Sequence, residues 1–499
     1  MGKGKVIFIK NAAILTATSL LLRMVGMIFR VWLATAVGAE GMGLYQQIFS
    51  IYVLVSVFAS SGVGLAVTRL ISEELTLGKR RGVSLIMRKS SLLTLFAAVG
   101  SGLIVYFMAE PISVYIISDK RAAESLRIMC FSLPFMAISA VLKGYFFARK
   151  KASVNSFSQC IEQAVRVGFI FFWFGNFETD ITTGCAAVLR GDVVAEFSSC
   201  FYLLAVYLAD RKKLNSLRGR ERPPYKIMPT LIRIVSPIAG GRYLNSFLRT
   251  VENIIVPANL VKYGLTNENA LASFGMIKGM ALPLLLFPAG LLSSVTSLLV
   301  PEMSEASAAG HRGRIRYAAE RSITLTFVAS IPFAVGFYFT AEPLSKLIYS
   351  DVSVGDCVRL LAPLVPLMYI DSVSDALLKS LDKQLVTFKH SLFDSLGRIA
   401  LILFLLPGFG MTGFIAIMYA SNILTSLLNL IKLMRVSGAR ISLLKQIILP
   451  TFTAVTGGLI ARFMLGLGTS SELVYIILIF AGISILYIPL LPLFEIFKK

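Results

Sequence analysis

The 499-residue chain is 56% hydrophobic and only 15% charged, with a mean hydropathy of +0.76 and a formal net charge of +22. That composition excludes a soluble globular domain. The Lys and Arg residues recur in short clusters between apolar runs, as cytoplasmic loops do under the positive-inside rule, so no soluble basic domain exists to bind nucleic acid. Cys130, Cys160, Cys185, Cys200 and Cys357 lie mostly inside apolar runs, with no CxxC and no nearby His, which indicates neither a disulfide framework nor a metal site.

At the N-terminus a basic start and Ala34-Thr35-Ala36 mimic a signal peptide, but Arg23 and Arg30 interrupt what would be its apolar region, so the segment reads as a retained first helix. Apolar segments of about 20 residues, the length that crosses the hydrocarbon, give fourteen predicted spans. Their cores are 11–36, 43–71, 84–108, 122–147, 153–176, 183–209, 228–261, 270–301, 316–341, 356–379, 386–406, 411–434, 446–467 and 472–496. The connecting loops alternate in charge. Lys79-Arg80-Arg81, Arg149-Lys150-Lys151, Arg211-Lys212-Lys213 and Arg312/Arg314/Arg316 fall on one side; Glu40, Glu178/Asp180, Pro407-Gly408-Phe409-Gly410 and Glu472 fall on the other. Both termini are therefore expected on the cytoplasmic side of a cell membrane.

One constant offset of 232 residues reveals an internal duplication. Ala109-Glu110-Pro111 recurs as Ala341-Glu342-Pro343 and Ser72-Glu73 as Ser304-Glu305. The same shift carries Asp119 to Asp351, Arg127 to Arg359, Pro134 to Pro366, Lys151 to Lys383, Glu162 to Asp394 and Arg166 to Arg398. Each unit holds six spans, an even number, so the repeats are parallel. The expected fold is an all-α polytopic membrane protein with 14 transmembrane helices arranged 6+6+2. Residues 1–210 form the first six-helix lobe, 211–227 a basic cytoplasmic linker, 228–440 the second lobe and 441–499 two added helices, with the pseudo-symmetric lobes around a central cavity.

Arg23 and Arg30 are two turns apart on the first span, on one face, with about 10 Å of rise between them. Span seven repeats that spacing with Arg242 and Arg249. An Arg facing lipid at mid-helix costs roughly 2.5–3.5 kcal/mol on insertion scales, so these faces are expected to line a wet cavity. Lys278 in span eight adds a cation, and Glu252, three residues from Arg249, is the only carboxylate away from the ends of spans one, two, seven and eight. Glu162/Arg166 and Asp394/Arg398 instead form i, i+4 pairs that neutralise themselves. Asp371 and Asp375 in span ten admit a proton or cation role, with Lys379 a partner for Asp375; Arg190, Asp192 and Glu196 in span six are similarly mixed.

No catalytic constellation is present. The only histidines, His311 and His390, are expected in cytoplasmic loops, and no GxxxxGK[ST] loop exists to hold ATP. The chain therefore reads as neither an enzyme nor a cofactor carrier. The glycines of "SSGVGLAVTR" in span two read as a close helix interface rather than a nucleotide loop.

The stretches "RMVGMIFRVWLATAVGAEGMGLYQQIFSIY", "LLVPEMSEA" and "ISDKRAAESLRIMCFSLPFMAISAVLKGYFFARKKASVNSFSQCIEQAVRV" resemble the stage V sporulation protein B branch of the polysaccharide transporters. This branch groups with MurJ-like lipid II flippases in the multidrug/oligosaccharidyl-lipid/polysaccharide exporter superfamily. The resemblance implies two six-helix lobes around a V-shaped cavity and alternating-access movement of an undecaprenyl-diphosphate-linked sugar. It also implies that the cationic positions Arg23, Arg30 and Lys278 are functional. MurJ-like proteins carry an arginine pair early in span two, where this chain reads Tyr45-Gln46-Gln47, a departure that places it on the sporulation-protein side.

The expected partners are thus an undecaprenyl-diphosphate-linked saccharide and membrane lipids, with a coupling cation an open question. Guanidinium groups replace the hydration of the diphosphate. Tyr45, Gln46, Gln47 and Asn245 either bind sugar hydroxyls or satisfy one another between helices. The alternatives are a multidrug/cation antiporter on the same scaffold, which calls for cavity carboxylates rather than guanidiniums, and a non-transporting scaffold for wall synthesis.

Overall fold

The computed structural model of the chain describes residues 3–77, 80–177, 180–215, 226–465 and 471–494. Lys79, Glu178 and most of the linker 211–227 lie outside the described residues. Among the described residues the regular structure is helical throughout. In chain order the α-helices are α1 (Lys3–Ser60), α2 (Val63–Thr76), α3 (Arg80–Pro111), α4 (Ala122–Cys130), α5 (Leu133–Ala148), α6 (Ala152–Asn176), α7 (Ile181–Asn215) and α8 (Ile227–Tyr263). They continue with α9 (Asn267–Gly275), α10 (Leu282–Leu286), α11 (Ala289–Ala308), α12 (Arg312–Tyr349), α13 (Ser353–Leu361), α14 (Val365–Ser380), α15 (Gln384–Ser437), α16 (Leu449–Leu465) and α17 (Glu472–Tyr487).

These helices map onto the fourteen predicted spans once their bends are placed. Two long helices each contain two spans: α1 turns at Gly38 (φ 72°) and α15 at Gly410 (φ 55°). With ψ of −179° and −134°, these positive-φ conformations are open essentially to glycine alone. The second span breaks at Gly62 (φ 78°) before continuing as α2, and the fourth bends by 42° between α4 and α5. The eighth span contains a π-helical stretch, Met276–Ala281, between α9 and α10.

The chain divides into two compact units. The first comprises Met1–Phe29 with Leu44–Ile254, the second Arg30–Gly43 with Ile255–Lys499. In the first, Leu70, Ile71, Ile86, Leu142, Tyr145, Phe146 and Leu203 are almost completely buried, joining α2, α3, α5 and α7 in one core. Gly64 and Gly144 let α2 and α5 touch: a Cβ on Gly144 would sit 2.5 Å from the Gly64 carbonyl oxygen. This is the close helix interface expected from "SSGVGLAVTR". At one end of that core Asp210 accepts hydrogen bonds from Tyr145 (2.7 Å), Arg149 (3.1 Å) and Lys151 (2.5 Å).

In the second unit Phe327, Ile331, Ile370, Leu377, Leu433, Ala454 and Ile479 form the core, so the added helices α16 and α17 pack on α12. The Tyr487 hydroxyl donates to the Val328 carbonyl at 2.8 Å. Segment 30–43 belongs here because Gly43 and Gly275 cross in contact: a Cβ on Gly43 would sit 2.0 Å from the Leu271 carbonyl oxygen, and one on Gly275 would sit 2.0 Å from that of Ala39.

The duplication is visible in local geometry. Arg127 lies 3.7 Å from Glu110, and Arg359 lies 3.7 Å from Glu342. Among the described non-glycine residues, the four with positive φ are Ser118 (61°), Lys150 (57°), Ser350 (56°) and Asp382 (58°), two pairs at the same offset of 232 residues. Asp119 accepts from the backbone N–H two residues on at 2.9 Å, and Asp351 does the same at 2.9 Å. Two halves of unrelated origin would not share these turns.

Candidate functional site

In the first unit, α8 runs antiparallel to the second span. Thr250 Oγ1 donates to the Ser50 carbonyl at 3.0 Å, the Tyr243 ring meets Phe58 edge-on at 5.7 Å, and Ile238 lies beside Gly62. Ser246 and Thr250 are therefore buried on the packed face of α8; Glu252, one turn beyond Arg249, is 3% exposed. Arg242 and Arg249, one turn to either side of Ser246, flank that face and are exposed, with Asn245 half-buried between them at i+3 from Arg242. Neither Arg242 nor Arg249 has an ion pair or hydrogen bond among the described residues. Glu252, at i+3 from Arg249, shares their side of the helix but not their exposure.

The second span presents its amides beside that helix. Ser50 Oγ donates to the carbonyls of Gln46 (2.6 Å) and Gln47 (2.9 Å), one turn from the Thr250 contact. Gln47 is 1% exposed and its Oε1 has no hydrogen-bond partner among the described residues; nor has Gln46 Nε2. A buried amide atom without a partner costs about 1–3 kcal/mol. Arg23 lies in the same unit, exposed on α1.

The other cations belong to the second unit. Arg30 is half-buried; in the same unit the Tyr349 hydroxyl donates to the Met280 carbonyl at 3.1 Å. Lys278 is half-buried within the π-helical stretch, close to the Gly43–Gly275 crossing. The structure thus sets Arg23, Arg242, Asn245, Arg249, Gln46 and Gln47 in one compact unit and Arg30 and Lys278 in the other.

The remaining intramembrane charges are more connected than helical spacing suggests. Arg166 reaches Glu162 on its own helix at 3.0 Å and also Asp192 on α7 at 2.5 Å, while Lys143 on α5 lies 3.5 Å from Glu162. Arg190 pairs with Glu124 at 2.6 Å and stacks over Trp173 at 4.9 Å. Arg398 pairs with Asp394 at 2.6 Å, and Lys379 with Asp375 at 2.5 Å. His390, expected in a loop, is instead helical: its Nδ1 lies 2.7 Å from Asn429 Oδ1, and Asn429 Nδ2 donates to Asp371 at 2.8 Å. The sequence offered no signal for the Arg166–Asp192 and Asp371–Asn429 contacts, since their partners are 26 and 58 residues apart on separate helices. Among the described residues no cluster of His, Cys, Asp and Glu could hold a metal ion.

A family model described as "Polysaccharide biosynthesis protein" matches residues 8–307. Stage V sporulation protein B of Bacillus subtilis (strain 168) is 25% identical over 507 aligned residues, which cover 99% of this chain and 96% of that protein. The fold is that of a solved lipid II flippase MurJ in an inward closed conformation, with a TM-score of 0.70 at 18% identity, covering 97% of this chain and 99% of that one. It is shared with an inward-facing multidrug resistance MATE family transporter of the MOP superfamily, with a TM-score of 0.66 at 13% identity over 85% of this chain and 98% of that one.

Proposed function

Because the chain belongs to the polysaccharide biosynthesis protein family, we propose that it flips an undecaprenyl-diphosphate-linked saccharide of the lipid II type from the inner to the outer leaflet by alternating access. It is a multi-pass membrane transporter rather than an enzyme. The observation that carries the substrate reading is the α8 face. Two guanidinium groups stand two turns apart without a counter-ion among the described residues, in a helix whose packed side is fixed to the second span. A diphosphate supplies the missing negative charge, and each bidentate guanidinium contact replaces water lost from a phosphate. The unpartnered amide atoms of Gln46 and Gln47 offer an acceptor and a donor to sugar or peptide groups next to that charge.

In this reading Arg23, and in the second unit Arg30 and Lys278, are further cationic contacts for the head group, and Asn245 orients the ligand between the two α8 arginines. The lobes 1–210 and 228–440, with 441–499 appended, are the moving parts. The loop charges orient both termini to the cytoplasm of a cell membrane. An inside-negative potential favours outward movement of the anionic head group by about 2.3 kcal/mol per charge per 100 mV.

The test is reconstitution of the purified protein into liposomes carrying fluorescent lipid II in the inner leaflet. Accelerated appearance in the outer leaflet, competed by other sugar-diphosphate lipids, is the expected result. Transport of organic cations with no movement of the lipid would support the antiporter instead. A cellular phenotype unchanged in membrane-localised Arg23→Ala and Arg249→Ala variants would support the scaffold.

A further inference from the structure

The Glu–Arg pair copied by the duplication has different surroundings in the two halves. The second copy, Glu342 with Arg359, opens into a cavity of about 360 Å³ whose other wall comes from the added helices. Arg462 of α16 and Glu472 and Tyr475 of α17 line that wall, and Tyr338 of α12 lines the near side. Lys346 Nζ donates to Glu472 Oε1 at 2.8 Å and fastens the start of α17 to α12. Arg462 has no ion pair or hydrogen bond among the described residues. The first copy, Glu110 with Arg127, has no added helix pair in its half of the sequence to enclose it.

We infer that this cavity is a binding site for the head group of phosphatidylethanolamine, a phosphodiester that carries a primary ammonium. Two arginines and two glutamates line it, and Lys346 holds Glu472, so guanidinium donors for a phosphate and the Glu342 carboxylate for an ammonium face one cavity, as a zwitterion requires. Arg462 is the free donor for the phosphate. Glu342, 3.7 Å from its own arginine, is held loosely enough to accept from the ammonium.

The flanks identify the source as a lipid rather than a free solute. Phe463 and Met464 follow Arg462 directly and are 83% and 68% exposed; Ile477 and Leu478, one turn or less beyond Tyr475, are 56% and 41% exposed. In a membrane these side chains meet acyl chains, so a polar head group in the cavity has its tails along α16 and α17. The site is independent of the flippase reading and gives the two unduplicated helices a role of their own.

Native mass spectrometry of the full chain, loaded from detergent with a mixture of phosphatidylethanolamine and phosphatidylglycerol, tests it. One phosphatidylethanolamine per protein should be retained, and at least fivefold less in Arg462→Gln and in Glu472→Gln. Arg127→Gln, which breaks the unenclosed copy of the pair, should retain the lipid like the parent. Arg462 has no partner to lose, so its variant folds even where loss of the Lys346 contact disturbs the Glu472 variant. Retention unchanged in Arg462→Gln would overturn the proposal, as would phosphatidylglycerol held as well as phosphatidylethanolamine. Displacement by equimolar glycerophosphoethanolamine would assign the cavity to a soluble zwitterion and overturn the lipid assignment.

Discussion

At the scale of single residues, unsatisfied charge separates a side chain that holds the fold from one that is available to a ligand. Asp210 belongs to the first kind: its three donors come from α5 and the turn after it, and removing its charge leaves Arg149 and Lys151 without their acceptor. Because Arg149 and Lys151 are part-exposed, the loss is nearer the about 1–3 kcal/mol of a buried acceptor's hydrogen bonds, so Asp210→Asn should lower the unfolding midpoint in detergent while Arg242→Ala leaves it within a degree or two. Asp180 caps α7, accepting from the Thr183 hydroxyl and N–H, and these hydrogen bonds hold its carboxyl below the usual aspartate range. The cap's contribution is present above the unfolded-state value near 3.9 and is lost as pH falls through the lower folded value. Amide exchange at Thr183, corrected for intrinsic rate, should therefore be protected at pH 6 and lose protection only below about pH 4. The arginine spacing was legible in the sequence because seven residues on one helix fix a shared face. The Arg166–Asp192 bond was not, because only tertiary packing brings α6 to α7.

At the scale of elements, glycine decides where helices bend and touch. Gly43 and Gly275 each leave room for a carbonyl oxygen that a methyl group would meet at 2.0 Å, a distance only a shift of the backbone can relieve. Overpacking of this kind costs about 1–3 kcal/mol, and because both glycines serve one crossing, Gly43→Ala and Gly275→Ala should each destabilise while the double variant falls short of their sum. A double-mutant cycle on thermal unfolding in detergent measures that coupling. The number of spans was legible from hydrophobic runs and basic punctuation. The bends were not: Pro407-Gly408-Phe409-Gly410 reads as a loop, yet helix continues to a single positive-φ glycine. The break at Gly62 lies inside the single predicted span 43–71, where hydropathy gives no sign of a change in φ.

For the whole molecule, the duplication was the most informative feature of the sequence, and it survives as matching turns at Ser118 and Ser350 and matching ion pairs at Glu110 and Glu342. It does not predict the compact units, since residues 30–43 group with the second half and α8 up to Ile254 with the first. Sequence offset records ancestry, whereas grouping records which side chains pack together. The same distinction limits what was legible of the candidate site: Arg242 and Arg249 could be placed on one face, but the Thr250–Ser50 bond that fixes that face beside Gln46 and Gln47 required coordinates. The central claim is that the α8 guanidinium groups carry the charge of a diphosphate lipid across the membrane. Its most direct test is the flipping rate of fluorescent lipid II in liposomes, with and without an inside-negative potential, for the parent and for Arg242→Ala/Arg249→Ala at equal incorporation. We predict acceleration by the potential in the parent and a loss of at least tenfold in the double variant, the size of one charge-assisted contact of about 1.5–3 kcal/mol. A double variant that flips lipid II at the parental rate would contradict the account.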